Sequence, residues 1–319
     1  MPWAGRLVAV GRVPWLVGRG PGAGFGPNIG AGRVPDMATI TFFHAHPDDE
    51  AILTGGTMAK LADDGHRVVL VTATRGELGL VPDDLERSGQ TLSERREDEL
   101  AEACRLLGAA RHSFLDYHDS GMAGDATNDA PGSFAAADVG EAAEALAAIL
   151  IEERTDVLVT YDEHGGYDHP DHIQVHRVGM EAARRAAVPV VYMATMNRDF
   201  FRTLGTLAEG SDIELPDGAA EGMETMGEPA SRLTTEIDVS PWLEAKRAAM
   251  RAHRSQIAET SFFLALPVDL FAAVWGQEWY IRVLPEVPDP TPSWESGLML
   301  DPGDPAAATT STGSGSARP

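Results

Sequence analysis

Two clusters of histidine and carboxylate residues lie far apart in this sequence, and each directly follows a short apolar stretch. The first cluster, His44 to Glu50, follows residues 38–43, and the second, Tyr161 to His172, follows residues 156–160. Imidazole nitrogens and carboxylate oxygens are zinc ligands. The carboxyl ends of neighbouring parallel strands lie at one edge of a sheet, where ligands bind. The two clusters together therefore predict one metal site.

Three residues in these clusters fit the ligand set of a catalytic zinc ion, which keeps three protein ligands and one open position. They are His46, Asp49 and His172, and Asp49 follows His46 by three residues, close enough for both to face one ion across a turn. A bound zinc polarises a carbonyl group and activates a water molecule, which is the chemistry that amide hydrolysis needs. The same nitrogen and oxygen ligands leave Fe²⁺ open as an alternative metal.

The residues beside these ligands are of types that move or hold protons. Asp48 adjoins a ligand and is expected to act as the general base toward the metal-bound water. His169 precedes His172 by three residues and is expected to stabilise an oxyanion or to supply a proton. Asp171 is expected to accept a hydrogen bond from a histidine and so to fix its tautomer.

Other polar residues near the clusters allow two interpretations from their types alone. Glu50 could be a negative charge that the helix dipole favours at an N-terminus, or it could contact the metal ligands. His44 fits a structural role in the strand or a role in the site. His164 and His176 are expected to be ordinary loop and helix residues.

Apolar periodicity predicts the elements that position the two clusters. Strands are expected at 38–43, 67–73, 113–115, 156–160 and 188–193, with helices at 50–63, 91–107, 137–153 and 172–187. Thr91 and Glu94 have the spacing of a capping box at the start of the second helix. This alternation predicts an α/β fold, a Rossmann-like and mainly parallel sheet with helices on both faces and right-handed crossovers.

The alternation weakens after residue 200, which predicts a smaller C-terminal α+β portion. We expect an acidic insert at 209–231, a helix at 241–256, an apolar and aromatic core segment at 262–279 and a strand at 279–284. These patterns divide the chain into four expected regions: a disordered leader at 1–36, a metal-site core at 37–200, a portion at 201–285 that completes the site, and a disordered tail at 286–319. The tail is expected to be disordered because Pro, Asp, Thr, Ser and Gly dominate it.

The composition excludes several kinds of partner and of site. A formal net charge of −24 over 319 residues argues against nucleic acid and against an anionic membrane surface. One cysteine, Cys104, excludes an internal disulfide framework and a cysteine-rich zinc site, and we expect it to pack in the core. No apolar run is long enough for a transmembrane helix or a signal peptide, so we predict a cytoplasmic protein.

Four motifs in this sequence resemble a known enzyme family. They are His-Pro-Asp-Asp-Glu at 46–50, Thr-Arg-Gly-Glu at 74–77, Asp-Ser-Gly-Met-Ala-Gly at 119–124 and Gly-Gly-Tyr-Asp-His-Pro-Asp-His at 165–172. Together they resemble the PIG-L/LmbE-type zinc N-acetylglucosamine deacetylases over residues 37 to 284. The likeness is greatest to the mycothiol branch, which comprises the GlcNAc-inositol deacetylase and the mycothiol S-conjugate amidase.

The resemblance implies roles for individual residues. It implies zinc at His46, Asp49 and His172, Asp48 as the base, and His169 and Tyr167 as the groups that stabilise the intermediate or protonate the amine. Taken alone, Arg96 on a helix would be a solvated charge and Asp119 a turn former. The resemblance instead implies that both bind the sugar and inositol hydroxyls of the substrate, and Glu77 joins them as a substrate-binding candidate.

The implied reaction is removal of the N-acetyl group from a small GlcNAc-containing molecule similar to GlcNAc-inositol, with release of acetate. One alternative is an amidase that cleaves a larger acyl group from a glucosaminyl conjugate, such as a mycothiol S-conjugate. A second is a metal- or sugar-binding protein that is not catalytic. The sequence departs from the two mycothiol enzymes at Ala51-Ile52-Leu53, where they carry small polar or lysine residues.

Overall fold

The computed structural model describes residues 37–85, 89–209, 222, 224–261, 263–286 and 294–298. In this part of the chain, seven strands form one sheet. They are β1 (Thr39–His44), β2 (Arg67–Thr74), β3 (Arg111–Tyr117), β4 (Val157–Tyr161), β5 (Val190–Thr195), β6 (Thr235–Asp238) and β7 (Gln277–Leu284).

The strand order across the sheet is β3-β2-β1-β4-β5-β7-β6. The first five strands in this order are parallel, as the alternating sequence pattern predicts, and every residue of β1, β4 and β5 is buried. Such burial on both faces is typical of parallel sheets covered by helices. Strand β7 runs antiparallel to β5, and β6 antiparallel to β7. The sequence did not predict β6, which has only four residues, two of them acidic.

Helices cover both faces of the sheet, which confirms the predicted fold class. They are α1 (Gly55–Asp63), α2 (Leu92–Leu107), α3 (Val139–Glu152), α4 (Pro170–Ala186), α5 (Arg198–Glu209), α6 (Leu243–Ala252) and α7 (Val268–Trp275). Adjacent residues of β1 point to opposite faces. Phe42 therefore packs in a core with α1, α2, α6 and α7, whereas Phe43 packs in a second core with α3 and α4.

Two helices, α2 and α4, begin with side-chain caps, whereas the π-helical turn Glu50–Thr54 and α1 after the first cluster do not. The predicted capping box of Thr91 and Glu94 begins α2. Helix α4 begins at Pro170, two residues before the predicted start, because proline is well tolerated at a first helical position. His169 caps this helix by accepting the backbone N–H of Asp171 on its Nδ1 at 3.2 Å. The predicted helix at 241–256 ends earlier, at Ala252.

Several predicted regions fall outside the described residues: the leader at 1–36, most of the acidic insert and most of the tail at 286–319. Within the tail, residues 294–298 are described, and the backbone of Glu295 pairs with Thr234 and Glu236 beside β6. Cys104 is buried, as predicted. Among the described helices, none combines the length and the apolarity that a bilayer-spanning segment needs.

The sheet places the two clusters next to each other. Strand β1 pairs with β2 on one side and with β4 on the other, so the strand order reverses direction at the β1–β4 boundary. Open α/β sheets bind ligands outside the carboxyl ends of the strands at such a switch point. The first cluster follows β1 and the second follows β4, so both lie at this position.

Candidate active site

The histidines of the two clusters converge at the carboxyl edge of the sheet. The ring centroid of His46 lies 5.4 Å from that of His172 and 4.8 Å from that of His169. All three side chains are buried. The tertiary structure therefore brings together residues that are more than 120 positions apart in the sequence.

Asp49 bridges the two histidines predicted as metal ligands. Its Oδ2 lies 3.5 Å from Nδ1 of His46 and 3.4 Å from Nε2 of His172. In a tetrahedral zinc site, ligand atoms that are each about 2.0–2.2 Å from the ion lie about 3.3–3.6 Å from one another. The two distances from Asp49 are in this range, and the binding of one metal ion by these three residues stays a prediction.

Hydrogen bonds on the far side of each imidazole ring fix its orientation. Nδ1 of His172 lies 3.0 Å from the carbonyl oxygen of Gly165, so it carries the proton and leaves Nε2 free for a metal. Nε2 of His46 lies 3.1 Å from Oδ2 of Asp171, so Nδ1 faces Asp49. Outer partners of this kind are typical of metal-binding histidines. They support a metal at the site on the basis of this chain's own hydrogen bonds.

Ser120 holds Asp171 in place from the loop after β3. The Ser120 backbone N–H donates to Oδ2 of Asp171 at 2.9 Å, and the Ser120 hydroxyl donates to Oδ1 at 2.5 Å. Both residues are fully buried. Ser120 lies inside the Asp-Ser-Gly-Met-Ala-Gly motif, but the sequence reasoning gave it no role, because a serine in a glycine-rich loop is usually a turn residue. Gly165 was missed in the same way.

Among the described residues, two groups of side chains have all their ligand atoms close enough together to hold a metal ion, and neither includes Asp49. His46, His169 and His172 form one, and His46, Asp119 and Asp171 form the other. In the second group, Oδ1 of Asp119 lies 3.6 Å from Nε2 of His46, the nitrogen already directed at Asp171. In the first, burial and the two neighbouring histidines lower the pKa of His169 to about 4, and its Nδ1 already accepts a backbone N–H.

Asp48 has an uncommon backbone conformation and a constrained carboxylate. Its φ is +124°, a region that non-glycine residues rarely adopt and that is often found at functional sites. The Asp48 backbone N–H donates to Oε2 of Glu50 at 3.0 Å, and Oδ2 of Asp48 accepts from Nη2 of Arg96 at 3.1 Å. Burial raises the pKa of Asp48 to about 6, while the Arg96 charge opposes this rise. Such a carboxylate suits a general base near neutral pH.

Arg96 is buried beneath Asp48. Besides the Asp48 carboxylate, its guanidinium donates to the carbonyl oxygen of Gly76 at 2.6 Å and to that of Pro47 at 2.5 Å. Only 3% of Arg96 is exposed. In this structure the side chain therefore supports the Pro47–Asp48 turn, and its contact with a substrate stays a prediction.

Asp119 and Glu77 form a second polar group beside the histidines. Asp119 accepts the backbone N–H groups of Leu78 at 3.2 Å and Gly121 at 2.9 Å, and Glu77 accepts the backbone N–H of Asp119 at 3.1 Å. Burial acts to raise the pKa of Asp119, but the nearby His46 ring and the backbone N–H groups of Gly121 and Leu78 outweigh it and hold the pKa below its usual value. Both carboxylates are near the site, and their binding of substrate stays a prediction.

Tyr167 lies at the opening of the site. It is 43% exposed, and its hydroxyl lies 3.5 Å from Nε2 of His172. His44 lies behind the site instead: Nδ1 pairs with the Tyr161 hydroxyl at 2.7 Å and Nε2 with the Thr54 hydroxyl at 2.9 Å. Of its two predicted roles, His44 therefore has the structural one.

Comparison with known proteins identifies the family. The sequence profile of the GlcNAc-PI de-N-acetylase (PIG-L) family matches residues 41–183. A 1D-myo-inositol 2-acetamido-2-deoxy-alpha-D-glucopyranoside deacetylase of Thermomonospora curvata is 41% identical over 285 residues, which cover 82% of this chain and 95% of the relative. The enzyme of the same name from Salinispora arenicola is 42% identical over 292 residues, covering 86% and 94%. This chain belongs to the PIG-L family.

Two solved structures have a fold similar to the one described above. A deacetylase–teicoplanin complex has a TM-score of 0.52 at 19% identity, covering 77% of this chain and 99% of the other. The 4-carboxy-2-hydroxymuconate hydratase GalB of Pseudomonas putida KT2440 has a TM-score of 0.50 at 19% identity, and the match covers 79% of this chain and 99% of the other. Likeness at this level shows the fold alone, since one fold supports different reactions.

Proposed function

We propose that this PIG-L family member is a zinc-dependent deacetylase that removes the N-acetyl group from GlcNAc-inositol or a closely similar amino sugar and releases acetate. The observation that carries the proposal is the contact of Asp49 with both His46 and His172. It occurs in a chain that covers 95% of a GlcNAc-inositol deacetylase at 41% identity. A cytoplasmic location, predicted from the sequence, belongs to the same proposal.

The metal would be held by His46, Asp49 and His172. When bound there, zinc, or Fe²⁺ in its place, polarises the acetamide carbonyl and lowers the pKa of a water molecule. The outer hydrogen bonds to Gly165 and Asp171 orient the two rings so that Nε2 of His172 and Nδ1 of His46 face Asp49.

The remaining side chains handle protons and position the substrate. Asp48 accepts the proton of the attacking water, and Arg96 keeps its carboxylate aimed at the site. His169 caps α4 through Nδ1. Its other nitrogen therefore carries the ring proton and donates a hydrogen bond to the oxyanion, as Tyr167 does from the opening of the site. The leaving amine takes the proton that Asp48 accepted from the water. Asp119 accepts hydroxyl groups of the sugar, which fixes the orientation of the amide.

One observation favours amidase activity on a larger conjugate as a second candidate. Three apolar or aromatic side chains near the site are exposed: Leu78 by 48%, Met122 by 56% and Tyr167 by 43%. Leu78 and Met122 follow Glu77 and Asp119 closely in the sequence. A large apolar substituent on the substrate would cover these side chains, whereas an acetyl group is too small to do so.

The test is release of free amine by purified protein with a measured metal content. GlcNAc-inositol and a bulky thioether conjugate of mycothiol are compared as substrates, and the Asp48→Asn variant is the control. We expect faster release from GlcNAc-inositol and a loss of about 10²–10⁴-fold in the variant. Faster turnover of the conjugate would favour the amidase. Equal rates for wild type and variant, both above the rate without protein, would contradict Asp48 as the base. Rates that do not exceed the rate without protein would show a protein that is not catalytic.

A further inference from the structure

A buried pair joins the C-terminal part of the chain to the first cluster. Nε2 of His253 lies 2.6 Å from Oε1 of Glu50, and both side chains are 0% exposed. His253 follows α6, and 203 residues separate it from Glu50 in the sequence. No sequence motif discussed above includes His253.

The Glu50 carboxylate connects His253 to the backbone of Asp48. Oε1 of Glu50 faces His253, and Oε2 accepts the backbone N–H of Asp48 at 3.0 Å. This N–H belongs to the residue with the φ of +124°. A strained conformation persists only where its surroundings fix it. The pair with His253 fixes the Glu50 carboxylate, because a carboxylate held on both oxygens has little freedom to rotate.

The His253 side chain forms a hydrogen bond with Glu50, and its backbone is held by the packing of α6. Helix α6 packs against α1 and α2, and the backbone N–H of His253 donates to the carbonyl oxygen of Met250. Among the described residues, Nδ1 of His253 has no hydrogen-bond partner. Nε2 is therefore the ring nitrogen that forms a hydrogen bond, and its partner is Glu50.

We propose that His253 is a positioning residue for the base: acting through Glu50, it holds the Asp48 backbone in the conformation that presents the Asp48 carboxylate to the site. This inference rests on the proposed function and deepens it. Arg96 restrains the Asp48 carboxylate from the other side, at 3.1 Å. The base is then fixed at two points, its backbone N–H and its carboxylate.

Two substitutions of similar volume separate positioning from packing. His253→Gln keeps an N–H donor that reaches toward Glu50, whereas His253→Leu removes it. His253→Asn keeps the amide but is too short to reach, so it serves as a second disrupting variant should His253→Leu not fold. We expect kcat to fall at least tenfold in His253→Leu or His253→Asn, with KM and zinc affinity within threefold of wild type, and most of kcat to return in His253→Gln.

The buried pair of Lys246 and Glu278 provides a matched control. Nζ of Lys246 on α6 lies 2.6 Å from Oε1 of Glu278, with both side chains at most 2% exposed. Glu278 accepts the backbone N–H groups of Gly56 and Thr57 at the start of α1, not that of Asp48. Lys246→Met is expected to reduce the thermal stability to a similar degree and to leave kcat of the folded, zinc-loaded protein within threefold.

Amide hydrogen exchange at single-residue resolution gives a readout that does not depend on activity. Exchange at the Asp48 amide is expected to accelerate at least tenfold in the disrupting His253 variants, with the amides of β1 unchanged, and to stay at the wild-type rate in Lys246→Met. Equal kcat in the Gln and Leu variants, an equal fall in Lys246→Met, or unchanged Asp48 exchange would overturn the inference. A wild-type protein that loads zinc but releases no amine would instead overturn the proposed function.

Discussion

The carbonyl oxygen of Gly165 lies 3.0 Å from Nδ1 of His172, so a backbone group in the loop after β4 selects the ring nitrogen that faces Asp49. Gly165 is also packed tightly against its partner. A Cβ atom at position 165 would lie 2.3 Å from Cβ of His172 and 2.6 Å from its carbonyl carbon. The glycine is therefore needed for space as well as for its φ of +60°.

Gly165→Ala is expected to weaken metal binding at least tenfold, because the new methyl group displaces His172. Gly166→Ala is the matched control: Gly166 has a φ of +78°, but a Cβ there meets nothing within 4 Å. Both variants lose about 1–2 kcal/mol of stability from a left-handed residue with a side chain. Titration of the metal-free proteins with zinc compares them. Equal zinc affinities for the two variants would contradict the role of Gly165.

Ser120→Ala is expected to lower metal affinity by up to about 10-fold, the lower end of the effect of losing a group bonded directly to a metal ligand, because Ser120 acts one residue further out. The Ser120 hydroxyl restrains Asp171, and Asp171 orients His46. Ser133→Ala is the control, since Ser133 is also buried but donates to the carbonyl oxygen of Asn128. The measurement is the zinc dissociation constant of each purified variant. An unchanged constant in Ser120→Ala would show that Asp171 needs no support from the loop after β3.

Arg96→Lys tests whether Arg96 serves the base or binds the substrate. A lysine keeps one charge but lacks the planar group that reaches Gly76, Pro47 and Asp48 together. We expect kcat to fall at least tenfold with little change in KM, while Arg95→Lys on the same helix has no effect. The steady-state kinetics decide the matter: a tenfold rise in KM at constant kcat would show that Arg96 binds the substrate.

His112 on β3 is expected to make stability depend on pH. Burial lowers its pKa from 6.5 to about 4. Above pH 6.5 the ring is neutral in both folded and unfolded protein. As the pH falls from 6.5 toward 4, the unfolded chain takes up the proton first, so stability is lost.

The comparison is between wild type and His112→Gln. Between pH 7.5 and pH 5, the wild-type free energy of unfolding is expected to fall by about 1–2 kcal/mol more than that of the variant. Denaturant unfolding of the metal-free proteins measures this difference, because acid would otherwise also release the metal. His164→Gln, at an exposed position, is the control. Equal losses in wild type and His112→Gln would show that His112 does not titrate in this range.

The parallel part of the fold was predictable from the sequence because its signals are local. Each buried strand is a short apolar run, and each helix has apolar positions at regular spacing, so the alternation alone indicates the layers. Strand β6 gave no such signal, since its four residues are stabilised by pairing with β7 and by Glu295 rather than by their own pattern.

The residues predicted as metal ligands could be selected from the sequence for a related reason. His46, Asp49 and His172 each lie close after a strand or at a helix start, where parallel topology places ligand-binding residues. The supporting residues Ser120, Gly165 and His253 could not be selected in this way, because their contacts with Asp171, His172 and Glu50 depend on how loops and helices pack. A serine, a glycine or a lone histidine has no distinctive chemistry until its neighbours are known.

The sequence by itself determined the family, the α/β class and the residue types able to bind a metal, because these depend on local patterns and on side-chain chemistry. Only the tertiary structure decided which nitrogen of each histidine is free, that Arg96 faces Asp48, and that His253 reaches Glu50. Those facts depend on side-chain orientation to within a few tenths of an ångström, which is set by the packing of elements distant in the sequence.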